Sequence, residues 1–450
     1  MAVVILYILS LDSYYIWVYI SRTFFQVILM SQYDYKYLKE NEEQLLKCLK
    51  CGTCLPACPL YAEMKYEPAA PRGRVALIDA AYKGDIDLTE VFRKKVSFCL
   101  NCKACVEACP SGVRVDDLIL NARAELVERG KLTLIERMIF RHLMKRGRLL
   151  PPVAKWATFV GRLAQRMLPD SEALKLFLPI PERFKERIYP RIAKKNARKR
   201  FPEVIKVKNP KMRVGYFIGC GTDLVYPEVA EAMIKVLTHN DIEVVIPKGW
   251  VCCGTSIYNS GDFKTGIKHA KKNLKEFNKF KLDAIVTNCA SCGLTLKKEY
   301  PELLKVGKFN APVYDINEFL TKVIKLKDDF KPIDYKVTYH DPCHLNRGQG
   351  IKAEPRKILR SIPGVKFTDM KDADRCCGGG GSFHLKYYPT SVGIMQKKLD
   401  NMAKIEADYL VTSCPGCMMR FEETFLQNRN GKKVKHILQL LAEAYEDKHK

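Results

Sequence analysis

Eighteen cysteines occur in this chain, and every one belongs to one of four regularly spaced groups. Two groups share the spacing Cys-x-x-Cys-x-x-Cys-x-x-x-Cys-Pro, and the other two share a five-cysteine pattern that contains a Cys-Cys-Gly step. Grouped cysteines along a chain of 450 residues are typical of metal ligation in a reducing compartment, whereas secreted disulfide scaffolds are short. The chain is therefore predicted to be a metal-sulfur protein.

The first two groups have the spacing of ferredoxin-type [4Fe–4S] sites. Three cysteines on a tight loop hold one cluster, and the fourth, which precedes a proline, usually reaches the other cluster. Zinc sites instead use paired Cys-x-x-Cys motifs, often with histidine. We therefore predict two [4Fe–4S] clusters that exchange their fourth ligands. The predicted ligand sets are Cys48, Cys51, Cys54 and Cys109 for cluster 1, and Cys99, Cys102, Cys105 and Cys58 for cluster 2.

The later two groups form an internal duplication, because matching cysteines lie 123–125 residues apart. Each copy alternates short apolar strands with helices, which predicts α/β units with mostly parallel strands. Such sheets bind ligands at the carboxyl ends of their strands, where these cysteines fall. The predicted metal ligands are Cys220, Cys252, Cys253, Cys289 and Cys292 in copy 1, and Cys343, Cys376, Cys377, Cys414 and Cys417 in copy 2.

This five-cysteine pattern resembles the cysteine-rich CCG domain family, which includes catalytic subunits of heterodisulfide reductase and iron-sulfur subunits of glycolate, lactate and anaerobic glycerol-3-phosphate dehydrogenases. With KCLKCGTCLPACPLY, PRGRVALIDAA and FCLNCKACVEACPSGV before it, the chain looks most like the iron-sulfur subunit of glycolate oxidase. In heterodisulfide reductases the pattern binds a non-cubane [4Fe–4S] cluster, so the resemblance implies one or two further clusters here. A zinc site that uses four of the five thiolates is the alternative.

The expected fold class is a multi-domain α+β protein, in which a helical ferredoxin-type domain precedes two duplicated α/β CCG domains. Its N-terminal extension is interpreted either as a membrane anchor or as sequence upstream of the true start, because Asp12 interrupts its apolar run. The predicted segments are the apolar extension at 1–30, the two-cluster domain at 31–130, a basic helical linker at 131–212, and the CCG domains at 213–330 and 331–450.

The resemblance implies an iron-sulfur subunit of an oxidoreductase complex. A partner flavoprotein would oxidise a 2-hydroxy acid such as glycolate or lactate, and this chain would pass the electrons to quinone or another acceptor. No Gly-x-Gly-x-x-Gly fingerprint follows a strand, so we expect this chain to bind neither flavin nor NAD. The first alternative is a heterodisulfide reductase-type catalytic chain that reduces a disulfide at a CCG-bound cluster. The second is a structural zinc protein.

The net charge of +26 includes a dense basic run at 191–213. Without aromatic interleaving or a nucleic-acid-binding fold, this run does not predict a nucleic-acid partner. A solvated linker face is the commonest use of such charge, and an acidic partner subunit or an anionic membrane surface are alternatives. We expect a cytoplasmic protein, with association at the cytoplasmic membrane face as the alternative.

Three residues around one CCG cysteine are candidates for catalysis, namely Cys343, His340 and His344. An imidazole near a metal-bound thiolate can protonate a departing thiol close to neutral pH. The plainer interpretation is that these histidines cap a strand end or form a hydrogen bond to a cluster sulfur. In the PRGR segment, Pro71 suits the first turn of a helix, which would leave Arg72 and Arg74 free for a surface role.

Overall fold

The computed structural model describes residues 35–130, 186–429 and 431–445, together with scattered residues between 132 and 163. The predicted extension at 1–30 and much of the predicted linker lie outside these residues. Within them the expected fold class is confirmed, because a helical region that carries the first eight cysteines precedes two α/β sheets. No helix in the described part of the chain is long and apolar enough to span a membrane.

The N-terminal region is built on two long helices that bury their apolar faces against each other. The first begins at Pro71, whose fixed φ suits an initial turn, and ends at Gly84, where φ is +81°. Short 3₁₀ turns occupy Leu38–Asn41 and Glu67–Ala69. The α-helices are α1 Glu42–Leu46, α2 Cys54–Ala57, α3 Pro59–Met64, α4 Pro71–Lys83, α5 Glu90–Ser97, α6 Ala104–Glu107, α7 Val115–Glu128 and α8 Leu134–Met138.

The first CCG domain contains a five-stranded sheet in the order β1-β3-β2-β4-β5, in which only the edge strand β1 is antiparallel. All four residues of β4 are buried, as expected for a strand covered by helices on both faces. The strands are β1 Val204–Ile205, β2 Met212–Tyr216, β3 Ile242–Val245, β4 Ala284–Thr287 and β5 Val313–Asp315. The helices are α9 Cys220–Leu224, α10 Pro227–His239, α11 Thr255–Tyr258, α12 Phe263–Phe277, α13 Ala290–Leu294 and α14 Ile316–Glu318, with a 3₁₀ turn at Ala197–Lys199 and π-helical turns at Thr295–Glu299 and Phe319–Val323.

The second CCG domain repeats this topology with four parallel strands in the order β7-β6-β8-β9. Without β1, the first sheet has the same order, so the duplication read from cysteine spacing is also a duplication of fold. The strands are β6 Tyr335–His340, β7 Val365–Phe367, β8 Tyr409–Thr412 and β9 Lys433–His436. The helices are α15 Cys343–Gln349, α16 Ala353–Ser361, α17 Phe383–Lys386, α18 Tyr388–Met402, α19 Pro415–Asn428 and α20 Ile437–Ala444.

The two CCG domains share one hydrophobic core. Leu438 and Leu441 of α20 belong to the same buried cluster as Val229 and Met233 of α10 in the other domain. A second close approach joins α13 to α15, where a Cβ on Gly348 would lie 2.9 Å from Leu294. The relative position of the two copies is therefore fixed by buried packing rather than by a flexible hinge.

The cysteines lie in the turns after the strands rather than on the strands themselves. The strand predicted to run up to Cys220 ends at Tyr216, and the chain then turns through Gly219, where φ is +76°. A side chain at Gly219 would clash, because its Cβ would lie 3.0 Å from Cys292 Sγ. Cys289 and Cys414 likewise occupy the N-cap positions of α13 and α19.

Candidate metal centres

The structure brings the first eight cysteines together in the two sets expected from the sequence. Cys48, Cys51, Cys54 and Cys109 line one small cavity, which Cys105 also borders. A second small cavity is lined by Cys58, Cys99, Cys102 and Cys105. Each cysteine run thus sends its last member towards the other site. The assignment of a cluster to each set stays a prediction that these positions favour.

Both loops turn through residues in the left-handed region at matching places. Lys50 and Gly52 have φ values of +55° and +90°, and their counterparts Asn101 and Lys103 have values of +51° and +61°. Successive turns of this kind point backbone amides to one side, which suits an anionic centre. Gly52 is also held close to another chain segment, because its Cβ would lie 2.8 Å from Arg72 Nη1.

The two sites differ in their access to solvent. Cys51 is the exposed member among the eighteen cysteines, all of which lie in described ranges. At the other site Cys58 and Cys102 are 7% and 8% exposed. The set with Cys51 therefore forms an outer centre, and the set with Cys102 forms an inner centre beneath the protein surface.

Two buried arginines surround the inner centre. Arg74 donates to the backbone carbonyls of Lys95 and Phe98. Arg123 donates to the carbonyl of Cys99 at 2.8 Å and, across the domain boundary, to that of Asn259 at 2.7 Å. Within the described part of the chain, neither guanidinium forms an ion pair with a carboxylate. A buried cation needs a counter-charge, and a cluster held by four thiolates is anionic, so the residues present fit the predicted group.

The expected surface role for Arg74 is wrong, because its side chain is buried by packing against the 95–98 segment. Arg72 does lie at the surface. Its guanidinium binds Glu67 at 2.8 Å and donates to the Lys50 carbonyl at 3.2 Å, which ties α4 to the first cysteine loop. The PRGR segment therefore supports both cysteine sites, one arginine on each.

In the first CCG domain the five cysteines converge in the turns after β2, β3 and β4. Cys252 Sγ lies 3.9 Å from Cys220 Sγ, and Cys253 Sγ lies 3.4 Å from Cys292 Sγ. Two thiolates bound about 2.3 Å from one tetrahedral metal ion lie about 3.8 Å apart. The sulfur spacing therefore suits metal ligation by the predicted residues.

The second CCG domain repeats this arrangement, with Cys377 Sγ 3.7 Å from Cys417 Sγ. Hydrogen bonds from Cys376 and Cys417 hold the pKa of Cys377 well below the ordinary value for a thiol. In copy 1, hydrogen bonds from Cys252 and Cys292 have the same effect on the pKa of Cys253. The thiolate is the form that binds metal, so each copy stabilises an anionic sulfur at the second cysteine of its Cys-Cys-Gly step.

All ten CCG cysteines line one shared cavity of about 450 Å³ between the two domains. Cys289 of copy 1 and Cys414 of copy 2 interact directly across it. The wall is completed by the ferredoxin-type loop around Cys99 and by the four glycines at 378–381. The two predicted CCG centres therefore face a common space rather than separate surfaces.

His344, one of the catalytic candidates, joins three parts of the chain. Its Nε2 lies 3.2 Å from the Asn101 carbonyl, and its Nδ1 lies 3.0 Å from Ser291 Oγ. Since a carbonyl only accepts, Nε2 carries the hydrogen and Nδ1 accepts from the hydroxyl. Burial lowers the pKa of His344, so the imidazole is neutral at pH 7. Cys343 begins α15 beside it, and a catalytic role for either residue stays a prediction.

Sequence reasoning did not find the ion pairs that join the domains. Lys103 is buried between the two cysteine-bearing regions and contacts Asp116 of its own region and Glu299 of copy 1, the latter at 3.3 Å. Arg347 of copy 2 binds Glu107 at 2.8 Å across another boundary. These partners lie far apart in sequence, and no local pattern marks them.

Comparison with known proteins agrees with this architecture. A sequence model of the cysteine-rich CCG domain matches residues 214–297 and 337–422, and a model of the 4Fe-4S dicluster domain matches residues 44–113. The chain therefore belongs to the family of iron-sulfur oxidoreductase subunits that join a 4Fe-4S dicluster domain to two CCG domains. The expected resemblance is confirmed, and the dicluster match gives no support to a structural zinc protein.

Three relatives illustrate the range of this family. The probable glycolate oxidase iron-sulfur subunit of Bacillus subtilis (strain 168) is 33% identical over 424 residues, which cover 90% of this chain and 95% of that protein. One subunit of the fumarate reductase (CoM/CoB) of Methanothermobacter marburgensis is 31% identical and is covered to 74%, with 91% of this chain aligned. Lactate utilization protein A of Geobacillus kaustophilus is 31% identical over 51% of this chain and 98% of its own length.

Proposed function

We propose that this chain is the electron-transfer subunit of an oxidoreductase complex. A flavoprotein partner oxidises a small 2-hydroxy acid such as glycolate or lactate, and this chain carries the electrons to quinone or another acceptor. The substrate class is supported by relatives described as a glycolate oxidase iron-sulfur subunit and as a lactate utilization protein. A flavoprotein partner follows from the first of these relationships.

The observation that carries this proposal is an unbroken succession of cysteine sites. It begins at the outer centre with exposed Cys51 and continues to the inner centre, which shares Cys105 as a border. Cys102 of the inner centre then packs in one buried cluster with Cys376 of copy 2. Electron transfer becomes steeply slower with distance, so adjacent sites favour a relay from the surface to the shared cavity.

Iron-sulfur clusters, when bound at these cysteines, supply one-electron redox chemistry at potentials that burial and hydrogen bonding adjust. The residues of this chain hold the sites and shield them from water. Arg123 fixes the backbone around Cys99 through its carbonyl contacts, and His344 holds the same loop against copy 1 through Asn101 and Ser291. A rigid, buried surrounding of this kind keeps the distance between neighbouring sites constant.

Metal analysis of the anaerobically purified protein tests the number of centres. Two cubane clusters alone give about 8 iron atoms per chain, and clusters in both CCG domains bring the total to about 16. A Cys252→Ser/Cys253→Ser variant should lose copy 1 iron only, and the matching Cys376→Ser/Cys377→Ser variant should lose copy 2 iron. Stoichiometric zinc with little iron after reconstitution would contradict the proposal.

Co-purification then tests the role. A bound flavoprotein, given glycolate or lactate, should bleach the visible absorption of the iron-sulfur protein. Without the hydroxy acid the absorption should not change. Bleaching that needs no flavoprotein would remove the reason for a partner.

A second candidate function is reduction of a small disulfide in the shared cavity. Its volume of about 450 Å³ falls in the range of small-molecule sites, about 300–1,000 Å³, and both sets of CCG cysteines line it. Two electrons and two protons convert one disulfide into two thiols. The chemically reduced protein, without any flavoprotein, should then turn over a low-molecular-weight disulfide. An absence of turnover by fully iron-loaded protein would leave the relay as the function.

A further inference from the structure

We propose that His340 is an additional donor to the second CCG centre, so that copy 2 offers five thiolates and one imidazole where copy 1 offers five thiolates. The inference rests on the proposed function only in assuming that copy 2 binds an iron-sulfur cluster. It differs from the catalytic role considered for His340, because the imidazole would bind the metal rather than move a proton.

The geometry of three side chains supports this assignment. One ring nitrogen of His340 and the sulfur atoms of Cys377 and Cys417 all lie within 4.8 Å of one another, and all three residues are buried. The two sulfur atoms are 3.7 Å apart, which suits two thiolates on one metal ion. Across the described residues, this is the one place where three potential ligand atoms of histidine, cysteine or carboxylate side chains converge so closely.

The tautomer of His340 leaves the correct nitrogen available. Its Nδ1 lies 3.1 Å from the Ala373 carbonyl, and because a carbonyl only accepts, Nδ1 carries the hydrogen. The Nε2 atom is buried and has no hydrogen-bond partner in the described part of the chain. Histidines that bind metals usually donate their other ring N–H to a carbonyl or carboxylate, as His340 does. A bound metal ion would remove the cost of this unsatisfied buried nitrogen.

The imidazole is also held in place by its surroundings. Lys398 donates to the same Ala373 carbonyl at 2.8 Å and so fixes the group that orients His340. The ring packs edge-on against Phe421, with 4.9 Å between ring centroids. Burial lowers the pKa of His340, which keeps the ring in the neutral form that binds metals. A merely space-filling residue would not require this orienting hydrogen bond.

Copy 1 has no counterpart to this donor. Phe217 lies three residues before Cys220, as His340 lies three residues before Cys343. Phe217 packs against Trp250 and Phe277 in the apolar core. Copy 1 does contain the buried His269, but its Nδ1 binds the Cys252 carbonyl and, among the described residues, it forms no three-donor group with the thiols. The duplicated domains therefore differ at one point of chemical importance.

Imidazole ligation should make the copy 2 centre a better electron acceptor. Histidine in place of thiolate raises the reduction potential of iron-sulfur centres, because a neutral ligand stabilises the reduced state more than an anionic one. Copy 2 is also the domain that the inner ferredoxin-type centre touches, through Cys102 and Cys376. The better acceptor is thus expected at the position that receives electrons first.

Pulsed EPR of anaerobic holoprotein labelled with 15N-histidine tests ligation directly. Spectra are recorded across a redox titration, so that the paramagnetic state of each centre is sampled. We expect a strongly coupled histidine nitrogen in the wild type, and its loss in His340→Phe, which introduces the residue found at the matching position of copy 1. His340→Gln serves as a second variant, and His269→Gln as a matched control at the other buried imidazole. The midpoint potential of one CCG centre should shift to a more negative value in both His340 variants.

The outcomes separate this inference from the proposed function. About 16 iron atoms per chain without a strongly coupled nitrogen in the wild type would overturn His340 ligation and leave the relay intact. Coupling that disappears in His269→Gln but survives in both His340 variants would do the same. About 8 iron atoms per chain would show that the CCG domains hold no clusters, which overturns their part in the relay and this inference together.

Discussion

Cys102 of the dicluster region and Cys376 of the second CCG domain lie side by side in one buried cluster, where their thiols interact directly. Leu100 and Phe383 pack around them from the two sides of the domain boundary. Within the described residues, copy 1 contributes no cysteine to this cluster. The inner ferredoxin-type site therefore meets the duplicated domains at copy 2, and the two copies are unequal in position as well as in sequence.

Arg347 holds this junction together, and we expect its loss to loosen it. The guanidinium binds Glu107 of the dicluster region and Asp374 of copy 2, each at 2.8 Å, and its side chain is 8% exposed. Because both carboxylates are partly exposed, Arg347→Gln should cost only about 1–2 kcal/mol of stability. Reduction of the CCG centres by the flavoprotein should become slower in stopped-flow absorbance. Arg360→Gln, which removes the same charge beside Phe367, is the control, and equal slowing in both variants would disprove a specific role for Arg347.

Arg74 and Arg123 are expected to raise the potential of the inner centre. Both are buried without a carboxylate partner in the described chain, so each stabilises added negative charge nearby. Replacing either by glutamine should lower the midpoint potential of one ferredoxin-type cluster, by on the order of 50–100 mV for a charge within about 10 Å. EPR-monitored redox titration measures both clusters at once. Arg72→Gln, at the outer centre, should leave the inner potential unchanged, and an equal shift of both clusters in Arg74→Gln would contradict this assignment.

Gly380 should resist substitution because the dicluster region packs directly on it. Its φ is +48°, and a Cβ there would lie 2.6 Å from Leu100 Cδ2 and 2.9 Å from Phe383 Cβ. Gly350 has a φ of +73° with no described atom within 4 Å, so it is a matched control for backbone strain alone. Gly380→Ala should lose about 1–3 kcal/mol more than Gly350→Ala, measured as a larger fall in apparent melting temperature. Equal losses would mean that the domain boundary yields easily at this point.

Asp315 should make stability depend on pH, because its carboxyl is fully buried at the N-cap of α14. Burial raises its pKa to about 7, although the side chain accepts hydrogen bonds from Asn317. The folded protein therefore binds more protons than the unfolded chain between about pH 4 and pH 7, and stability falls as the pH rises through this window. Asp315→Asn keeps an acceptor oxygen without the charge, so it should stabilise the protein at pH 8 by at most about 4 kcal/mol.

The comparison is made on anaerobic holoprotein as the apparent melting temperature of both forms at pH 5 and pH 8. Proteins with bound cofactors seldom unfold in two states, so the difference between the two forms is used at each pH rather than an absolute free energy. We expect the advantage of Asp315→Asn to be larger at pH 8. An equal advantage at both pH values would show that the carboxyl does not titrate in this window.

Local spacing was sufficient to predict much of this fold. The helix expected at 116–129 is observed at Val115–Glu128, and the strand and helix order of each CCG copy followed from apolar periodicity. The cysteine sets meet as expected, because three members of each ferredoxin-type set lie within seven residues and the fourth follows a general rule. Those predictions depend on residues close together in the chain or on a repeated order.

Contacts between distant segments could not be predicted in this way. The burial of Arg74 depends on where the 95–98 segment packs, and the position of Lys103 depends on Glu299, which lies in another domain. His340 was noticed as a neighbour of Cys343 in sequence, yet the sulfur atoms it approaches belong to Cys377 and Cys417. A single sequence contains no signal for such pairings, because they arise only when the sheets and helices are assembled.

The exposure of Cys51 has a consequence for life in air. Oxygen and chelators reach a metal centre through solvent, so damage should begin at the outer centre while the buried cysteines remain protected. The protein would then be disconnected from its electron donor before its inner sites are harmed. Recovery after oxidative stress would require rebuilding one accessible cluster rather than replacing the whole polypeptide.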